Sequence, residues 1–327
     1  MDACCGLPVM NLSIDVVITA YGRYDLTRNC LNHLSAQTRG HHVVLVDNGS
    51  DDDTSRMTAR DFPHVQLLRL PENRPFAEAT NHGVAQCDGD VIVLLNNDVD
   101  ARPSFLEELV APMEADSGVG SVSALLLRPG EELIDSAGLT ADPTLACFPR
   151  HQGRPLSGST DSRPSLLGPA GAGAAYRRVS WQRVGGLDDT MFAYMEDFEL
   201  ALRLRVAGWK AAMALDAVAV HIGSATHGHR SARQRRHGGF GRGYVLRRDG
   251  VLRRRGPRAF VTELIVIVGD LVISRDLEAA KGRIEGWRAG SGAIRLPFPP
   301  RDAIDSTIGF RESIARRRGV YGQQAAK

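Results

Sequence analysis

Residues 91–100 read VIVLLNNDVD, five apolar residues running without a break into two amides and two carboxylates. A short continuous run of Val, Ile and Leu is the pattern of a strand buried on both faces, which a parallel sheet places at its centre. In open α/β sheets ligands collect at the carboxyl ends of such strands, where the departing loops leave a crevice. Asn96, Asn97, Asp98 and Asp100 offer hard oxygen donors suited to Mg²⁺ or Mn²⁺, ions that commonly hold substrate phosphates. Asn and Asp in a row also build turns, so the stretch alone leaves both readings open.

Upstream, strands and helices alternate. Residues 13–20 (SIDVVITA) form a β-branched run that ends at Tyr21-Gly22, and residues 24–37 follow as a helix with Leu26, Cys30, Leu31 and Leu34 on one stripe. Residues 43–46 are a second strand, closed by Asp47-Asn48-Gly49-Ser50, with Ser50 or Asp51 placed to cap the next helix. Residues 65–70 and 75–86 supply a third strand and helix, Pro75 standing near the first turn as helices tolerate. This alternation predicts right-handed βαβ units and a parallel sheet. Neither GxGxxG nor GxxxxGK[ST] follows the first strand, which argues against a dehydrogenase and a P-loop NTPase.

Downstream, residues 119–127 predict a strand and residues 131–150 short strands and turns. Residues 152–164, rich in Ser, Thr and Pro, read as a mobile surface loop, either a lid or a tolerated insertion. Within residues 168–208 lie GPAGAGAAYRR, VGGLDD and YMEDFELALRLRVAGWK. Glu196 and Asp197 open a helix whose expected C′ residue is Gly208. Acids there stabilise a helix through its dipole, while a catalytic carboxylate is the sharper reading. Residues 210–220 make one more strand, and His221 directly after it is either structural or a partner of Asp98 on a cation.

Composition sets the bounds. With 43% hydrophobic and 24% charged residues the 327-residue chain reads as globular, one large domain or a domain plus an appendage. Its five cysteines have neither metal-ligand spacing nor a disulfide framework, which implies reduced thiols and a cytoplasmic setting. The most apolar late stretch, residues 259–273, is interrupted by Glu263 and Asp270 and falls short of the roughly 20 residues of a membrane span. The net charge of +2 hides an asymmetry, because residues 225–258 hold eleven Arg, no Lys and one acid. A segment so basic suits nucleic acid, anionic lipid or a diphosphate-bearing acceptor, or is a solvated helical face.

In their order, VVITAYGR, VVLVDNGSDD, ENRPFAEATNHGV, VIVLLNNDV, GAGAAYRR, VGGLDDTMFAYMEDFELALRLRVAGW and the trailing His221 resemble the family 2 glycosyltransferases. The resemblance implies an inverting enzyme of the GT-A nucleotide-diphospho-sugar transferase fold, α/β with a mostly parallel central sheet, over residues 13–226. It implies a disordered segment before that, residues 1–12, and a basic, mainly helical region after it, residues 227–327. Residue by residue, Asp47 would hydrogen-bond the nucleotide base, Thr19, Ala20 and Tyr21 would line the same pocket, and Asn73, Arg74, Asn81 and Asn97 would complete it. Asn96-Asn97-Asp98 stands in place of the metal-binding DxD motif, with Asp98, His221 and Asn96 as ligands of Mg²⁺ or Mn²⁺. Asp197 matches the general base, with Glu196 beside it, and Gly171, Ala172 and Gly173 would face the sugars. Asn96 for the first DxD carboxylate, Arg74-Pro75 where relatives often carry Gly, and Glu199 for Asp are departures from the pattern.

The layout is also similar to bacterial rhamnosyltransferases acting on lipid-linked precursors, whose donors are commonly dTDP-linked. The implied reaction moves a sugar from a nucleotide-diphosphate donor, dTDP-L-rhamnose or a UDP-hexose, to a polyprenyl-diphosphate-linked or glycan acceptor. The basic C-terminal region then fits peripheral attachment at the inner face of the plasma membrane. A helical cap or a homo-oligomer interface explains the same pattern. Two rivals stand beside this reading: a sugar nucleotidyltransferase, whose Gly-rich basic signature Tyr21-Gly22-Arg23 lacks, and a non-catalytic module binding nucleotide or, less favoured, nucleic acid.

Overall fold

The computed structural model describes residues 11–157, 165–223 and 231–317. β1 (Ile14–Ala20), α1 (Tyr24–Ser35), β2 (His42–Asp47), α2 (Thr54–Asp61), β3 (Gln66–Arg69), α3 (Phe76–Val84) and β4 (Val91–Asn96) alternate as expected. Their strands pair in parallel in the order β3-β2-β1-β4. Ala20 sits opposite Asp47 and Thr19 opposite Asn96, so three carboxyl ends reach one edge together. The cap of α2 falls later than expected: Asp53, not Ser50 or Asp51, is the N-cap residue, and Asp52 just before it accepts the Thr54 N–H.

Beyond β4 come β5 (Val99–Ala101), α4 (Phe105–Ala115), β6 (Val119–Leu127), β7 (Ile134–Ser136), β8 (Leu139–Ala141), β9 (Cys147–Pro149), β10 (Gly173–Arg177), α5 (Arg178–Val184), α6 (Glu196–Val206) and β11 (Lys210–His221). β10 enters antiparallel between β4 and β6, β11 runs parallel to β6, and β5 lies antiparallel on β11. The sheet is thus mostly parallel with reversed strands set into it, and β4 keeps a central place.

Alternation along the buried strands feeds two cores. Val16 and Ile18 of β1 pack with Leu31, Leu34, Leu106 and Leu109 on one side. Val17 packs with Val46, Ala77, Trp181 and Leu200 on the other. A third core joins Leu139, Phe198 and Leu202 to the C-terminal helices through Val245, Leu246, Val251 and Ala259.

Those helices are α7 (Ala232–Arg248), α8 (Val251–Ser274), α9 (Glu278–Ala289) and α10 (Phe310–Arg317). Glycines bring α7 and α9 to backbone contact: a Cβ on Gly286 would lie 1.9 Å from the Phe240 carbonyl oxygen, and one on Gly243 2.0 Å from that of Arg283. α8 bends at Gly256 (φ 50°, ψ −136°), just before Pro257.

Two expectations change here. The frayed start gives way before residue 12, because Leu12 is buried and its N–H donates to Glu114; residues 1–10, with Cys4 and Cys5, lie outside the described residues. Of the expected mobile loop, residues 158–164 lie outside the described residues, while Leu156 N–H donates to the Glu132 carbonyl and pins the first half.

Candidate active site

The aligned strand ends open into a cavity of about 630 Å³, bordered on the far side by α6 and the start of α7. Thr19, Ala20, Tyr21, Asn73, Arg74, Asn96 and Asn97 line one part, and Asp98, His221, Gly171, Ala172, Glu196 and Asp197 another. The β11–β5 pairing, His221 opposite Val99, carries the imidazole to Asp98. His221 Nε2 lies 3.5 Å from Asp98 Oδ1, and Nδ1 lies 2.8 Å from Asp135 Oδ2. Burial alone would lower the imidazole pKa, but hydrogen bonds to Asp135 and Asp98 outweigh it and raise the group to about 9.

Among the described residues no three His, Cys, Asp or Glu side chains enclose a metal ion by themselves. Asp98 and His221 nevertheless fit a cation that completes its shell with diphosphate oxygens and water, as Mg²⁺ and Mn²⁺ sites often do. Asp135 on the second ring nitrogen is the usual companion of a metal-binding imidazole, fixing which nitrogen faces the ion. Asp98, Asp135 and Asp197 also make the cavity rich in carboxylates, which favours a cation when an anionic ligand must enter.

Across the cavity, Tyr194 (φ 67°) and Met195 (φ 73°) are two successive residues in the left-handed region, which side chains seldom adopt. The turn they form starts α6 with Glu196 and Asp197 facing the cavity. α7 clamps it: a Cβ on Gly241 would lie 2.6 Å from Met195 Cβ. Asp197 Oδ2 accepts the Gly171 N–H at 3.0 Å and Oδ1 accepts the Phe198 N–H at 2.7 Å. Burial nevertheless holds the Asp197 carboxyl above its ordinary range. Glu196 is raised to about 8 by burial and then by Asp197, and its Oε2 is buried with no hydrogen-bond partner.

Four expected residues stand elsewhere. Asp47 is fully buried, with its oxygens engaged by the Ser50 N–H and the Ser55 hydroxyl; it shapes the loop after β2, and its neighbour Asn48 lines the cavity instead. Asn81 binds Leu187 and Asp189 and so holds the VGGLDD turn against α3. Gly173 is buried in β10 opposite Leu95, a packing position. Asp100, one of the hard donors of the opening stretch, turns away to Asn29.

A match to the model of glycosyl transferase family 2 spans residues 15–180, just over half of the chain. The chain belongs to glycosyl transferase family 2. The N-acetylglucosaminyl-diphospho-decaprenol L-rhamnosyltransferase of Mycobacterium tuberculosis is 28% identical over 64% of this chain and 75% of its own length. The O-antigen biosynthesis protein RfbC of Myxococcus xanthus is 30% identical over 65% of this chain, a match that spans only 17% of that longer protein. Two solved structures share the GT-A fold. The Pyrobaculum calidifontis mannosyltransferase PcManGT, solved with GDP-Man and Mn²⁺, has a TM-score of 0.52 at 19% identity, covering 97% of this chain and 88% of its own. GalNAc-T7, solved with UDP, GalNAc and Mn²⁺, has a TM-score of 0.57 at 15% identity, covering 95% and 58%.

Sequence reading of this family 2 chain missed several residues of the cavity. Asn48 was legible as the neighbour of Asp47. Asp135 lies in the three-residue strand β7 and gave no signal. Arg233, whose guanidinium lies 5.0 Å from the Phe192 ring centre, was counted in the basic segment and not as a site residue.

Proposed function

We propose that this chain transfers a sugar, with inversion, from a nucleotide-diphosphate donor to a hydroxyl of a lipid-linked or polysaccharide acceptor. The reading leans to dTDP-L-rhamnose or a UDP-hexose as donor, working at the cytoplasmic side of the membrane. The observation that carries it is a single cavity that holds the Asp98–His221 pair on one side and the coupled Glu196–Asp197 carboxyls on the other. The decaprenol-linked substrate in the name of the mycobacterial relative supports the acceptor class.

The nucleotide end falls to Thr19–Tyr21, Asn48, Asn73 and Arg74, with Arg233 on the rim for the diphosphate. A divalent cation on Asp98 and His221 would neutralise charge on the departing diphosphate. Asp197 takes the proton of the acceptor hydroxyl as the new C–O bond forms, while the bond to the diphosphate breaks with its electron pair. The backbone N–H groups of Gly171 and Phe198 hold the carboxylate still for that transfer. Glu196 keeps its proton at neutral pH, its Oε2 sealed inside the protein without a partner, and so leaves Asp197 the single negative charge of the pair.

The test is a thermal-shift panel of UDP, dTDP, GDP and CDP, with and without Mn²⁺, followed by transfer assays on wild type and Asp197→Asn. A nucleotide at a hundred times its Kd adds about 2.7 kcal/mol of stability. A pyrimidine diphosphate that stabilises only with metal, and a fall of about 10² to 10⁴-fold in kcat for Asp197→Asn with binding retained, is the expected result. Stabilisation by no nucleotide would end the proposal.

A further inference from the structure

α8 is built inside out. Ala259, Thr262, Glu263 and Val266 are buried, whereas Phe260, Val261, Leu264, Val268, Leu271 and Val272 stand 42–69% exposed. At 3.6 residues per turn these six share one face about 120° wide and roughly 18 Å long. A helix that faces water does the reverse. The charges are on the protein side: Glu263 meets Arg242 at 2.7 Å and Arg317 at 2.5 Å, and Asp270 meets Arg283 at 3.1 Å. The two acids that interrupt the apolar run in the sequence therefore leave the outward face uninterrupted.

Ahead of that face, across the Gly256 bend, lies a cluster of arginines. Much of the basic segment is neutralised internally, Arg235 by Asp276, Arg236 by Glu278 and Glu285, and Arg248 by Glu199 and Asp249. Arg247, Arg253, Arg254 and Arg295 differ: they gather around a cleft beside Trp287 at the start of α8, and none forms an ion pair among the described residues. Exposed Arg275 marks the other end of the helix. An anionic bilayer satisfies the arginines and the apolar face together.

We propose that α8 lies in the plane of an anionic lipid bilayer, its outward apolar face at the headgroup and acyl-chain boundary and the arginine cleft on lipid phosphates. No helix among the described residues is long and apolar enough to cross a membrane, so the contact is a seat and not a span. The proposal does not depend on sugar transfer. Where transfer also holds, the seat explains how the cavity, which α7 helps to line, would reach an acceptor embedded in lipid.

Flotation of the full chain with phosphatidylcholine vesicles, with and without phosphatidylglycerol, tests it. The chain should float with the anionic vesicles. Val268→Asp, at an exposed position, should weaken partitioning by about tenfold or more. Arg253→Ala combined with Arg254→Ala should weaken it by about thirtyfold. Both variants should keep the wild-type Tm and circular dichroism. A wild type that ignores both vesicle types overturns the proposal. So does a wild-type dimer that Val268→Asp converts to monomer with vesicle binding unchanged, which would make a second copy the occupant. The nucleotide panel on the same samples separates the two readings: vesicle binding without nucleotide binding keeps this one and sinks transfer.

Discussion

Glu196→Gln should make the protein more stable at alkaline pH while altering its catalysis. Burial first, then Asp197 beside it, raises the Glu196 carboxyl from 4.5 to about 8, and Oε2 has no partner in the protein. The raised value means the folded state holds a proton that the unfolded chain releases above pH 4.5. The stability tied to that proton is complete below pH 4.5 and is lost as pH climbs through about 8. At about 1.36 kcal/mol per unit the buried limit is near 5 kcal/mol. The residue opens partly onto the cavity, so about 2–3 kcal/mol is the expected size. Glutamine carries no such proton and keeps the shape. Urea unfolding of both proteins across this range should therefore show the variant gaining on wild type by that amount. His221, raised to about 9, also costs wild-type stability as pH rises from 6.5, but it is shared by both proteins and cancels in the difference. In kcat/KM, wild type should lose activity on a basic limb near 8 that the variant lacks, because only wild type then gains a second negative charge beside Asp197. A stability gap that stays flat across this range would refute the assignment of a protonated Glu196.

Two further outcomes follow from the packing. Asp135→Asn removes the carboxylate that fixes the His221 ring, and Mn²⁺-dependent nucleotide affinity, read by calorimetry, should fall about 10 to 100-fold with little change in metal-free binding; unchanged metal dependence would remove Asp135 from the site. Gly286→Ala forces a methyl into the space of the Phe240 carbonyl and should cost about 2–3 kcal/mol in denaturant unfolding, whereas an unchanged midpoint would mean that α7 and α9 part easily.

The alternation of apolar runs with helical stripes is a local property, and it determined the βα units, the place of β4 at the centre and the cavity at its carboxyl end. The same local chemistry picked out Asp98, Asp197, Glu196 and His221, because carboxylates and imidazole at element ends are unusual enough to notice. What the sequence left open is whatever depends on direction. Asp47 and Asn97 look alike as polar residues after strands, yet one turns into its own loop and the other faces the cavity. β10 entered the sheet reversed, and that insertion buried Gly173 while leaving Gly171 beside Asp197. The left-handed pair Tyr194–Met195 lies against Gly241 of α7, a contact with no local signature. The inversion of α8 is of the same kind: periodicity reports two faces, and only the arginines of α7, α9 and α10 decide that the charged one turns inward. Side-chain orientation is set by partners distant in the chain, which is why composition and spacing determined the class of this protein and tertiary packing alone decided which residues meet in its site.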